Sequence, residues 1–128
     1  MRTRLGILLA AILAASLQFV GLFDRDLRLP DEPREAEIAR EYASREGRAV
    51  PLLNGGRWLE KPPLYHWITA ELFRVAGKAT PGLARLPSAL AGLGIGVMAW
   101  LLARRLGPPD TGPWAGFLAW TSAELMNA

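Results

Sequence analysis

Apolar and charged residues fall into blocks along this chain, not into the regular mixture of a single soluble core. Residues 5–23 carry no charge, residues 24–78 are densely charged, and residues 86–102 are again free of charge. The first block, 19 residues, approaches the roughly 20 that take a helix across a bilayer. A second candidate span covers residues 83–102. Blocks of this kind predict membrane segments around a polar loop.

Arg2 and Arg4 precede the first block, and Arg104-Arg105 close the second. By the positive-inside rule both ends of this hairpin stay in the cytoplasm and the charged stretch faces outward. The expected order is therefore a cytoplasmic end and first transmembrane helix over 1–23, an outer loop over 24–82 and a second transmembrane helix over 83–103. A cytoplasmic turn over 104–113 and the start of a third, truncated apolar helix over 114–128 follow. A cleaved signal peptide ending near Ala14-Ala15-Ser16 is the rival for the first block. The apolar run continues past that point to Phe23, which favours an anchor. Gly92 and Gly96 form a GxxxG pair that would admit a second helix at close range. Gly92-Leu93-Gly94-Ile95-Gly96 is not read as a dinucleotide loop, because no strand precedes it and no acidic residue follows at the required distance.

Inside the outer loop, helical spacing marks residues 33–46, with Ile38, Ala39, Tyr42 and Ala43 on one side and Gly47 as the stop. It also marks residues 64–76, which follow Pro62-Pro63, end at Gly77 and carry Leu64, Trp67, Ile68, Leu72 and Val75 as a stripe. Such stripes suit helices lying along a membrane interface, with tryptophan at headgroup depth. They would equally serve a small packed subdomain. The fold class expected is all-α, a multi-span helical membrane protein with amphipathic juxtamembrane helices in its first outer loop.

Charge sharpens this picture. The chain has 15 Lys/Arg and 12 Asp/Glu, a net charge of +3, and no cysteine. Residues 24–78 hold ten of each sign, so the loop is neutral and the excess sits at Arg2, Arg4, Arg85, Arg104 and Arg105. Nucleic-acid binding would require a basic patch on one surface, and this distribution provides none. The missing cysteines exclude disulfides and thiolate metal sites.

Two charged clusters stand at predicted helix starts: Pro30-Asp31-Glu32-Pro33-Arg34-Glu35 and Glu60-Lys61-Pro62-Pro63. A partly desolvated carboxylate such as Asp31 can act as a general base. Lys61 and Arg34 can hold a phosphate beside the free N–H groups of a helix start. Plainer readings stand beside these. Asp31 would serve as an N-cap, Glu60 and Lys61 as a solvated pair, and Pro62-Pro63 as an ordinary helix start. His66, the lone histidine, makes a weak case for a metal site.

Taken together, PDEPREAEIAREY, VPLLNGGRWLEKPPLYHW and ARLPSALAGL resemble the amino-terminal region of bacterial polyprenyl-phosphate-dependent glycosyltransferases. These include the aminoarabinose lipid A transferases and the protein O-mannosyltransferases. The resemblance runs from about Leu5 to Leu102. It implies a GT-C type membrane fold in the bacterial plasma (inner) membrane, multi-pass, and a donor sugar joined to polyprenyl phosphate. It also implies transfer with inversion to a lipid A, protein or glycan acceptor. On this resemblance the loop's catalytic acidic residue, which acts on the acceptor or orients it, falls on Asp31; Lys61 and Arg34 bind the donor phosphate, and Glu32 and Trp58 line the site. Glu60 matches a residue that binds a divalent metal ion in the aminoarabinose enzymes. Glu35 departs from the tyrosine usual in that subgroup, and Trp58 likewise replaces a common tyrosine. The 128 residues look like the front end of a longer enzyme and are expected to be inactive alone. The alternative is a non-catalytic two-span protein whose outer loop binds a partner or lipid headgroups.

Overall fold

The computed structural model describes residues 2–44, 50–108 and 110–126. Five helices and one small hairpin follow in chain order: α1 (Arg2–Leu17), α2 (Asp31–Ala43), β1 (Leu52–Leu53), β2 (Gly56–Arg57), α3 (Leu64–Ala76), α4 (Pro81–Leu106) and α5 (Thr111–Met126). The chain divides into two compact units, one of Met1–Val20 with Ser88–Ala128 and one of Gly21–Pro87.

The first unit packs α1, the 88–106 part of α4, and α5. Its core is Ala11, Ala14 and Trp120, with Ala15, Leu93, Trp100 and Phe117 against it. Small residues set the spacing. A Cβ on Gly96 would run into the Trp120 indole, and one on Gly92 would meet the Gln18 side chain at 2.9 Å. The Trp120 indole N–H donates to the Leu93 carbonyl at 3.2 Å, and Gln18 Nε2 donates to the Trp120 carbonyl at 3.0 Å. Large apolar side chains such as Leu9, Leu13, Ile95, Met98 and Leu118 are exposed. Close approach through glycine with apolar side chains outward is how helices associate in lipid, where burying apolar surface gives no advantage.

The helix within the expected first span is shorter than that span. α1 ends at Leu17, not at Phe23, and the chain passes through 3₁₀-like turns in which Gln18, Phe19 and Val20 N–H groups donate three residues back. Gly21 then takes a left-handed φ of 70°. Among the described residues one helix, Pro81–Leu106, is long and apolar enough to cross a membrane, and Leu5–Leu17 is a shorter apolar stretch.

The second unit packs α2, the β1–β2 hairpin, α3 and the first turns of α4. Ala39, Phe73 and Ala84 form its core, with Leu27, Ala36, Ala43 and Leu83 around them. α3 has the expected bounds, closed by Gly77 at a φ of 67° that an L side chain adopts only with strain. α2 starts two residues before its expected first residue, behind a cis Leu29–Pro30 bond. Glu46 and Gly47, its expected end, lie outside the described residues.

The hairpin is an addition to the all-α expectation. Leu52 pairs with Arg57 and Leu53 with Gly56, antiparallel. Asn54 (φ 51°) and Gly55 (φ 79°) form its turn, the Asn-Gly pairing that two-residue hairpins favour. Glu41, largely buried on α2, accepts the Asn54 N–H at 2.5 Å and the Gly55 N–H at 3.2 Å.

Candidate functional site

Both charged motifs lie within the second unit, and the fold brings them together. The N-cap of α2 is Pro30, which has no hydroxyl or carboxylate with which to cap, so the N-cap role considered for Asp31 does not hold. Asp31 is the first helical residue instead. Its carboxylate, 67% exposed, accepts from Arg34 one turn later at 2.5 Å. Acidic side chains in the first turn also suit the positive end of the helix dipole.

Glu32 points to a different partner. Arg85 grips it with two hydrogen bonds, at 2.8 and 3.1 Å, and the Arg28 backbone N–H adds a third at 2.6 Å. The Arg85 bonds, with that N–H, hold its carboxyl below the ordinary glutamate value against the opposing pull of burial. Arg85 also donates to the carbonyls of Leu22, Arg25 and Asp26. The arginine counted among the topological charges is therefore a clamp on the loop that leads into α2.

The junction of the two motifs is Glu35, to which neither the charged cluster nor the family resemblance assigned a role. Its carboxylate accepts from Lys61 Nζ at 2.7 Å and lies 2.7 Å from His66 Nε2, with Arg34 at 3.9 Å. The Glu35 side chain is 13% exposed and that of His66 1%. Burial works to raise the Glu35 carboxyl, but the hydrogen bonds from Lys61 and His66 outweigh it and hold the group below its ordinary value. An ionised carboxylate only accepts, so His66 Nε2 donates the proton of this bond. Lys61 thus pairs with Glu35 across 26 positions and not with its neighbour Glu60.

Trp58 enters from the strand side, its backbone N–H donating to the Pro51 carbonyl at 2.8 Å. The Arg34 guanidinium lies over its ring at 5.3 Å, a cation–π contact. Three buried nitrogens in this group, Arg34 Nε, Trp58 Nε1 and His66 Nδ1, have no hydrogen-bond partner among the described residues. Unsatisfied buried polar atoms cost free energy and tend to mark places where something else is bound or moves.

The structure therefore gathers Asp31, Arg34, Trp58 and Lys61, turns Glu32 toward Arg85, and adds Glu35 and His66. A signal for Glu35 was present: Asp31, Arg34 and Glu35 are spaced i, i+3, i+4 and share one helix face. Glu60 is exposed, and among the described residues no three His, Asp or Glu side chains are grouped to hold a metal ion.

No protein-family model matches the chain, and no solved structure matches it. Curated sequences do. The chain is 40% identical over 81 residues to an undecaprenyl phosphate-alpha-4-amino-4-deoxy-L-arabinose arabinosyl transferase of Shewanella sediminis, covering 63% of this chain and 15% of that protein. A transferase of the same name from Pseudomonas savastanoi pv. phaseolicola is 37% identical over 101 residues, 78% of this chain and 18% of its own length. Another, from Serratia proteamaculans, is 43% identical over 60 residues, 47% of this chain and 11% of its own length. The chain thus spans less than a fifth of these relatives. The matches link it to glycosyltransferases.

Proposed function

We propose that this chain provides the donor-phosphate end of a GT-C type membrane glycosyltransferase that draws its sugar from a polyprenyl phosphate. One observation carries the reading: Arg34 and Lys61, distant in sequence, meet on one carboxylate at the starts of two helices. The relatives' names favour 4-amino-4-deoxy-L-arabinose carried on undecaprenyl phosphate as the donor and lend nothing to protein mannosylation, while lipid A as the acceptor rests on the family resemblance. The site belongs at the outer face of a bacterial plasma membrane, in a multi-pass protein with its amino terminus in the cytoplasm.

The chemistry follows from charge. The acceptor hydroxyl attacks the anomeric carbon from the face opposite the phosphate, the bond from that carbon to the phosphate oxygen breaks, and the configuration inverts. Negative charge then gathers on the departing polyprenyl phosphate, where fixed cations lower the barrier most. Lys61 has two N–H groups left after its bond to Glu35, and Arg34 has donors beyond the one given to Asp31. Asp31, exposed and first on its helix, orients the hydroxyl and takes its proton. If a divalent ion assists, Glu60 would be one ligand and its companions would have to come from outside this residue set. No step here depends on it.

The test uses the gene product as expressed from its own locus, in membranes, with undecaprenyl-phosphate aminoarabinose as donor. Asp31→Asn should lower kcat by about 10²-fold or more, and Lys61→Ala should raise the KM for the donor. Wild-type transfer by both variants would sink the assignment.

A further inference from the structure

We propose that Glu35 is a positioning residue for the donor phosphate, aiming Lys61 while the buried His66 holds Glu35 itself. The inference rests on the phosphate-binding role proposed for Lys61 and extends it to two residues that role does not include.

Lys61 is a poor anchor unaided. Its side chain is 51% exposed, and a lysine is a point charge on a flexible four-carbon stem with many rotamers. A bound phosphate would have to order that stem. Glu35 does so beforehand, through the 2.7 Å bond to Nζ. A carboxylate can do this only if it is itself fixed. Glu35 projects from α2, but its second oxygen meets His66 Nε2 from α3 at 2.7 Å. His66 is closed off from solvent, with its ring edge against Tyr65 at 5.4 Å between centroids. The Tyr65 hydroxyl in turn donates to the Ala84 carbonyl at 2.8 Å, tying this end of α3 to the first turns of α4. The sequence His66, Glu35, Lys61 therefore runs from the most buried group to the most exposed one, each fixing the next. Ordering a flexible cation before the ligand arrives raises affinity by removing that cost from binding.

A rigid ion pair placed only for stability would have no reason to end on a half-exposed lysine that keeps two free donors. At its half-exposed lysine end such a pair adds little to folding. Its value lies in where the ammonium points.

Donor and acceptor kinetics of the membrane-embedded gene product separate the outcomes. Glu35→Ala should raise the donor KM about tenfold, the scale of one hydrogen bond to a charged group, with kcat and acceptor KM nearly unchanged. In a Lys61→Ala background the same change should raise donor KM no further, because Glu35 acts through Lys61. Additive effects, or an unchanged donor KM for Glu35→Ala, would overturn the inference while leaving the role of Lys61 standing. A donor KM untouched by Lys61→Ala would instead remove the phosphate reading on which it rests. Should Glu35→Ala fail to accumulate, Glu35→Gln decides. It keeps the shape and one acceptor, so a smaller rise in donor KM supports the relay, and wild-type kinetics overturn it.

Discussion

The helices of the first unit meet through glycine and alanine and expose leucine, isoleucine and methionine, whereas those of the second meet beneath a web of ion pairs. In the first, Trp120 sits on Gly96, and its hydrogen bond to Leu93 satisfies the one polar atom of the ring. In the second, Glu35, Glu32 and Glu41 each join segments far apart in sequence. The difference reflects the solvent each is suited to. Close fit, helped by a few hydrogen bonds, specifies packing where the surroundings are as apolar as the side chains. Directed polar bonds can specify it where water competes for every group and only well-fixed bonds persist.

The sharpest way to break this contrast is to spoil shape in the first unit. Gly96→Leu would drive a side chain into the Trp120 indole and should destabilise the α4–α5 contact by about 3 kcal/mol. Gly94→Ala, two residues earlier with nothing within 4 Å, should be neutral. Thermal melts of the detergent-solubilised protein would compare them. Equal melting temperatures would show that glycine is not setting the spacing.

The corresponding break in the second unit is Arg85→Ala, expected to cost about 2 kcal/mol through the loss of charged hydrogen bonds to Glu32 and three carbonyls. Arg85→Lys should restore little of it, since an ammonium cannot reproduce the fork that spans Glu32 and those carbonyls. A lysine variant as stable as wild type, in the same melts, would mean that charge alone holds the segment.

These two positions also mark what could be read from the sequence. The bounds of α3 were legible because Pro63 and Gly77 punctuate it, and the GxxxG spacing of Gly92 and Gly96 announced a close approach. The pairing of charges was not legible. Ten acids and ten bases in residues 24–78 establish neutrality, but Glu32–Arg85 and Glu35–Lys61 are chosen by the fold across 53 and 26 positions. Which side of α3 packs inward was not legible for a related reason. Its apolar stripe of Leu64, Trp67, Ile68 and Val75 is exposed, while His66, Thr69, Ala70 and Phe73 are buried. His66 can be buried because Glu35 supplies a partner, and that partner belongs to another helix. The hairpin was overlooked although Asn54-Gly55 is a strong turn signal, because two-residue strands leave no alternation to read.

A smaller effect should appear at the hairpin. Glu41→Ala would leave the Asn54 and Gly55 N–H groups without their acceptor, at a cost of about 1–2 kcal/mol. Amide exchange at those two residues should quicken while exchange in α4 beyond Ser88 stays unchanged. Exchange quickened equally in both units would show that they open together.

The mildest perturbation is acid, and it sharpens the contrast without a mutation. Glu32 and Glu35 both have folded carboxyl values below their ordinary one, because Arg85 grips the first and Lys61 with His66 outweighs burial at the second. A depressed folded value means that the unfolded chain binds protons more readily, so the stabilisation is complete above about pH 4.3 and is lost as pH falls through the lower folded values. Between pH 7 and 5 these two glutamates should therefore change nothing. Below that window amide protection in α2 and α3 should fall, once exchange is corrected for its intrinsic pH dependence. Protection in residues 88–106, whose contacts involve no carboxylate in the Trp120 core, should persist. Loss of protection in both units at the same pH would mean that the ion pairs of one hold the packing of the other. Loss in α2 and α3 alone would show that each is specified by its own kind of contact.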